Sequence, residues 1–301
     1  MQKTQSSKSV DVCINVYGKP WQTLCTLKSL IKHSGHHIDK IYLIKEHTQP
    51  YHENIDFIFK HLRNLIIFTP VKHEFWGEET DLIDEKQRHT IRYQYGIEKS
   101  DKKYIFLTHN DVLYTGDVLS DMLCKVEGML GVGQIGQCWN CPAHSVGICS
   151  GEKFYEWQPR YDEVISLPLP FSRTTKDLID AKFPKPLPEC RLNEWACLLN
   201  REILIKEQNY QDRNTIFGLP NKIDIGCSWF KSMTIKGYRF AQYNQKFDHG
   251  YWAKNAGHST LINYALYRAS ERAAKKYYHA NFSTVSPWIK FFIGRTKDST
   301  E

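Results

Sequence analysis

An apolar run, Tyr104-Ile105-Phe106-Leu107, leads directly into Thr108-His109-Asn110-Asp111 before the chain turns apolar again at Val112-Leu113-Tyr114. A carboxylate just past a buried strand stands at the rim of a sheet, where it meets ligands instead of core. Mg2+ and Mn2+ want hard oxygen ligands and usually take one or two carboxylates together with substrate phosphate oxygens. Asp111, with Asn110 beside it, is therefore a candidate for holding a dication on a diphosphate. In an open α/β sheet, ligands bind beyond the carboxyl ends of the strands. Tyr17, Glu46 and Thr69 each follow a strand-like segment and are the other positions to examine.

A second group of reactive side chains lies further on. Cys138-Trp139-Asn140-Cys141 is a CxxC after a strand-like segment, and Cys149 and Cys190 follow it. Four thiolates bind Zn2+ tetrahedrally, and such an ion can staple a loop that has little core of its own. His144 competes for the fourth position. Free thiols packed in a loop satisfy the same pattern.

The elements that position these residues alternate in the first half of the chain. Val10 to Val16 reads as a β-branched strand, and Pro20 opens a helix whose Leu24, Leu27, Leu30 and Ile31 follow helical spacing to His33. Ile41 to Ile44 and Leu65 to Phe68 read as strands, with a polar, partly helical stretch between them. Asp84 to Glu98 carries one helical pattern, and Tyr104 to Leu107 is the fourth strand. Strands separated by helices of this length imply βαβ crossovers and a mainly parallel α/β sheet. A Gly-punctuated strand around Val132 to Gly136 precedes an irregular insertion, residues 138–190, that contains seven prolines. Long irregular segments inside compact domains are usually functional. Ala196 to Leu199 resumes a periodic pattern, Ile223 to Gly237 reads as a helix with a glycine cap, and Tyr238 to Gln242 as a strand. Leu261 to Tyr278 is helical and basic.

Composition narrows the class. The 301 residues are 41% hydrophobic and 24% charged, which excludes disordered and collagen-like chains and leaves material for one large domain. No apolar run approaches the ~18 residues of a spanning helix, and the polar start, residues 1–9, lacks an export core, so a disordered N-terminus and a cytoplasmic protein are expected. Nine cysteines, an odd number, do not suggest a disulfide framework. Forty Lys and Arg stand against 33 Asp and Glu, and from Asn263 onward seven basic residues face three acidic ones. That basic tail, followed by Trp288, Phe291 and Phe292, suits peripheral contact with the inner face of an anionic membrane. It suits equally a helix packed on the domain through Leu261, Tyr264, Leu266 and Tyr267. No nucleic-acid partner is expected, since only the tail interleaves basic and aromatic residues.

Five segments, in order, carry a family resemblance. They are Val12 to Pro20, Gly96 to Val112, Ala196 to Glu202, Ile223-Asp224-Ile225, and Lys236 to Phe240 with His249 beyond it. Together they resemble the GT-A-fold glycosyltransferases of the large family-2 type, over roughly residues 10–250. The resemblance implies a GT-A domain over 10–260, with a basic helical extension over 261–301. It implies that Tyr17 and Glu46 line the nucleoside pocket and that Asn110 and Asp111 hold the metal–diphosphate. His249 would complete that site. Asp224 would be the general base, with Glu194 as its rival. His109 stands where the family has the first acid of its DxD motif, a softer and only partly charged ligand.

The implied activity is transfer of a sugar from a nucleotide-diphosphate donor to a hydroxyl of a glycan or lipid-linked glycan, with inversion and with Mn2+ or Mg2+ as cofactor. The His109 departure keeps a second reading open, a non-catalytic nucleotide- or carbohydrate-binding protein on the same scaffold. A sugar-nucleotide pyrophosphorylase is disfavoured because no Gly-rich, Arg- and Lys-bearing phosphate loop follows the first strand.

Overall fold

The computed structural model describes residues 8–72, 80–220, 223–253 and 262–283. Strand β1 (Val10–Val16) is almost wholly buried. Its Val10, Val12, Ile14 and Val16 enter one core and Cys13 the opposite one, the alternation of a strand covered on both faces. Helix α1 (Pro20–Ser34) starts on a proline, as its fixed φ favours, and returns the chain to β2 (Ile38–Lys45). Strand β3 (Leu65–Phe68) pairs parallel with β2, and β4 (Tyr104–Thr108) parallel with β1.

Past β4 the directions mix. Strand β5 (Val112–Tyr114) and helix α4 (Val118–Lys125) lead to β6 (Gly131–Ile135), and β7 (Leu192–Asn200) runs antiparallel to both β4 and β6. Strand β8 (Phe240–Gln242) pairs parallel with β6 at the edge. The seven-stranded order is β3-β2-β1-β4-β7-β6-β8. It is the mainly parallel sheet flanked by helices that the strand–helix alternation implies. A separate two-stranded sheet pairs β5 with β9 (Phe247–His249).

Two expected elements differ. The helical pattern from Asp84 to Glu98 is two helices, α2 (Glu85–Arg88) and α3 (Gln94–Lys99), because Tyr93 takes a left-handed φ of 65° and donates its N–H to Asn15 Oδ1 at 3.0 Å. The expected helix from Ile223 begins only at Cys227 (α8, Cys227–Ile235), after Gly226 at φ 79°. Arg173 and Arg191 take the carbonyls of Ile223 and Ile225, which holds Asp224 ahead of the helix, not inside it. Residues 138–190 are irregular as expected, apart from the short helices α5 (Pro142–Ser145) and α6 (Tyr161–Ile165), and have a small core of Ala143, Val164, Ile179 and Leu187.

After β7 the chain forms α7 (Arg201–Glu207). The last described element, α9 (Tyr264–Asn281), packs on α1 through buried Tyr267, Ser270, Glu271, Ala274 and Tyr278. Tyr264 is exposed, Leu266 only half-buried, and Leu261 lies outside the described residues, so the packing face is more polar than expected. Arg272, Lys275 and Lys276 face water. Trp288, Phe291 and Phe292 lie outside the described residues, and the expected membrane contact gains no support from the described part of the tail. No described helix is long and apolar enough to cross a membrane.

Candidate functional site

The parallel strands β1, β2 and β4 end at one edge of the sheet, and Tyr17, Glu46 and His109-Asn110-Asp111 follow them there. Strand β7 begins at the same edge because it is antiparallel, and His109 N–H donates to the Trp195 carbonyl at 3.2 Å. The β5–β9 pairing sets Val112 opposite His249, and Gly250 N–H donates to the Asp111 carbonyl at 3.0 Å. The turn after β1, the end of β4, the start of β7 and the end of β9 thus meet around His109 and Asp111.

Asp111 Oδ2 pairs with Lys19 Nζ at 2.7 Å, and Oδ1 faces His249 Nε2 at 3.5 Å. Oδ1 is buried and has no hydrogen-bond partner. Burial opposes ionisation of Asp111, but Lys19 and then His249 outweigh it and hold the carboxyl well below the usual carboxylate range. His109 Nδ1 lies 3.3 Å from His249 Nε2, and His109 Nε2 lies 3.2 Å from Glu194 Oε1. Burial lowers the His109 pKa despite Glu194, so the imidazole is neutral at neutral pH. One ligand atom each from His109, Asp111 and His249 all fall within 4.8 Å of one another. An unpartnered carboxylate oxygen beside two imidazoles is a donor set that fits a divalent cation, with Lys19 already neutralising the other oxygen.

The polar network continues past His109. Glu194, almost fully buried, also contacts Arg191 at 3.4 Å, an ionic contact through Oε2 without a hydrogen bond. Burial would raise this carboxyl, but Arg191 and the His109 hydrogen bond bring it far below its ordinary value. Arg191 reaches Asp224 Oδ1 at 3.2 Å, and Arg173 reaches Asp224 Oδ2 at 3.0 Å while also pairing with Glu189 at 3.1 Å. Asp224 is ionised, its pKa lowered mainly by Arg191 against burial, and its side chain is 29% exposed against 3% for Glu194. The two candidate bases therefore share one arginine but differ in access to a substrate.

Glu46 is buried and accepts from Asn15 Nδ2 at 3.0 Å, and Asn110 donates to the Gly18 carbonyl at 3.1 Å, tying the turn after β1 to the turn after β4. Tyr17 is half-buried on that turn. Trp195 stacks on His249, rings 4.5 Å apart and 12° from parallel, and Trp139 from the insertion stacks on Trp195 at 5.5 Å with 55% of its surface exposed.

Lys19, Arg173 and Arg191 were not singled out from sequence. Lys19 was the most findable, a cation between a strand and a Pro-opened helix. Arg191, just before β7, and Glu194 within it face the site together, but nothing local distinguishes them from an ordinary ion pair. The four cysteines of the insertion lie elsewhere, lining a cavity of their own.

No family model and no curated protein matches the chain. Solved structures of related shape include a mannosyltransferase from Pyrobaculum calidifontis in complex with GDP-mannose and Mn2+, at 11% identity and a TM-score of 0.47, covering 95% of this chain and 79% of that one. A core-mannan synthase from Aspergillus fumigatus in a Mn/GDP form has 10% identity and a TM-score of 0.46, covering 81% and 75%. Mouse xyloside xylosyltransferase 1, in its apo form, has 12% identity and a TM-score of 0.43, covering 78% and 85%. Likeness of this degree carries no argument about activity. The fold reading rests on the sheet itself, whose mainly parallel, helix-flanked order is the one that a GT-A resemblance implies.

Proposed function

We propose that this protein is a glycosyltransferase that moves a sugar from a nucleotide-diphosphate donor to a hydroxyl of a glycan or lipid-linked glycan, with inversion. The observation that supports it most is Asp111 Oδ1, a buried, unpartnered carboxylate oxygen between two imidazoles at the ligand-binding edge of the sheet. His109, Asp111 and His249 would hold the dication. Two imidazoles favour Mn2+ over Mg2+, which prefers an all-oxygen shell. When bound, the ion supplies charge stabilisation to the departing diphosphate.

The chain's own groups do the rest. Lys19, held at 2.7 Å from Asp111, adds a second positive charge beside the diphosphate. Glu194 accepts from His109 Nε2–H, which leaves the Nδ1 lone pair directed at His249 and Asp111. Carboxylates commonly orient ligating histidines this way. That assigns Glu194 to positioning and leaves Asp224, the more exposed of the two, as the group that accepts the acceptor hydroxyl's proton. Tyr17 and Glu46 border the nucleoside end of the same crevice.

A donor screen with purified protein and Mn2+, reading free nucleoside diphosphate and sugar incorporation together, tests the proposal. Proton NMR of the product's anomeric centre tests inversion, and a retained configuration would remove Asp224's role as base. The non-catalytic reading has one observation in its favour, the arginines on both oxygens of Asp224, which weaken it as a base. Donor binding without any release of nucleoside diphosphate would select that reading.

A further inference from the structure

Cys138, Cys141, Cys149 and Cys190 line one hollow, whose empty volume, part of it open to solvent, is about 360 Å3. Its walls come from two bodies. Cys138 follows β6 and Cys190 precedes β7, so this pair is carried by neighbouring strands of the main sheet. Cys141 heads α5 and Cys149 follows it, so the other pair belongs to the insertion and packs against its small core. Among the described residues the hollow is a junction between sheet and insertion.

Several features suit this junction to a soft cation. Gly136, at φ 84°, has no side chain where a Cβ would lie 3.2 Å from Cys138 Sγ and 3.8 Å from Cys190 Sγ, which leaves the space between those thiols open. Cys138 and Cys190 face the hollow from the sheet side, and Cys141 and Cys149 from the insertion's small core, so soft sulfur donors meet it from both bodies. Lys185, half-buried, places its positive charge near Cys149 and Cys190.

We propose that these four cysteines bind one zinc ion that staples the insertion to the sheet. Four S–H protons leave to solvent, four S–Zn bonds form, and no electron is transferred. Zn–S bonds of about 2.3 Å bring tetrahedral sulfurs to about 3.8 Å from one another. No three of these sulfurs all lie within 4.8 Å of one another, so loading closes the hollow around the ion. The consequence reaches the crevice. Trp139 lies between Cys138 and Cys141 and stacks on Trp195, while Arg173, which pairs with Asp224, is anchored by Glu189, next to Cys190. The staple thus holds two side chains at the edge of the candidate active site.

The test is elemental analysis of full-length protein purified without chelator or a His-tag, followed by Co2+ substitution. About one zinc per chain is expected, with a sulfur-to-cobalt charge-transfer band and tetrahedral d–d bands in the Co2+ form. Cys141→Ser and Cys190→Ser should each lose the metal while keeping native circular dichroism, and Cys124→Ser should keep it. Asp111→Asn should also keep it, which separates this site from the His109–Asp111–His249 cluster. Zinc that survives both serine variants but leaves with Asp111→Asn would overturn the proposal. So would absence of zinc with no Co2+ uptake, a disulfide among the four cysteines in freshly purified protein, or loss in His144→Ala with none in Cys149→Ser.

Discussion

His109, Asp111 and His249 hold their ligand atoms within 4.8 Å of one another, whereas the four thiols of the insertion share a hollow without reaching that spacing. Both groups include residues placed at the ends of β-strands. The first is placed by strand register: β4 delivers His109, and the β5–β9 pairing delivers His249 beside Asp111. Backbone hydrogen bonds elsewhere in the sheet hold these residues with or without an ion. The second is placed by a segment with a four-residue core, too little to fix it alone. A scaffold can preorganise a site of two imidazoles and one carboxylate that is already paired with a lysine. Four thiols give up their protons only when the cation binds, so their gathering is coupled to metal binding.

The largest effect expected from this contrast is at Asp111. Asp111→Asn keeps the shape and removes the charge, and turnover should fall about 10²–10³-fold, as for loss of one preorganised electrostatic group. Mn2+ titration followed by electron paramagnetic resonance should show the same loss, with circular dichroism unchanged. Normal turnover would mean that the crevice works elsewhere.

The scaffold half of the comparison also depends on α9. Glu271 is buried and accepts from the N–H groups of Trp21 and Gln22 at 2.8 and 3.3 Å, capping α1 from 250 residues away. Tyr267 Oη accepts from Lys19 N–H at 2.9 Å in the same contact. Burial, opposed by those N–H donors, pushes the Glu271 carboxyl up from 4.5 to about 7. A folded-state pKa above the unfolded one means that the native protein holds the extra proton between these values. This contribution is fully present below pH 4.5 and is lost as pH rises through about 7. It is on the order of 3 kcal/mol across that window. Glu271→Gln should flatten this part of the stability–pH curve and raise the urea midpoint at pH 8. An unchanged slope would mean that the carboxylate is hydrated in solution.

Smaller effects separate positioning from chemistry. Glu194→Gln should weaken Mn2+ binding about 10–100-fold, the usual cost of removing the partner of a ligating histidine. Asp224→Asn should leave Mn2+ affinity intact and lower turnover alone. If the two variants behave alike, the division of roles between these carboxylates is wrong. The smallest effect is at Gly136. Gly136→Ala places a Cβ in a left-handed conformation, which costs about 1–2 kcal/mol, and narrows the gap between Cys138 and Cys190. Zinc content should drop with only a small shift in urea midpoint; an unaffected zinc content would show that the metal does not use that gap.

Local pattern was enough for much of this protein. A β-branched run marks β1, apolar runs mark β2 and β3, Pro20 marks the start of α1, and an apolar run ending in polar residues places Asp111 at the sheet's rim. These follow from propensity and periodicity, which act over a few residues. The breaks at Tyr93 and before Gly226 were not legible, because side chains from other segments compete there for the helix's own hydrogen bonds: Asn15 in the first case, Arg173 and Arg191 in the second. Nor was the pairing of three-residue Phe247-Asp248-His249 with Val112-Leu113-Tyr114. A strand that short has no periodicity to read, and its register is decided by what it packs against. The residue types of the candidate metal cluster were therefore written in the sequence, but their meeting at one point was decided by tertiary pairing, because hydrogen bonds between strands more than a hundred residues apart leave no local trace.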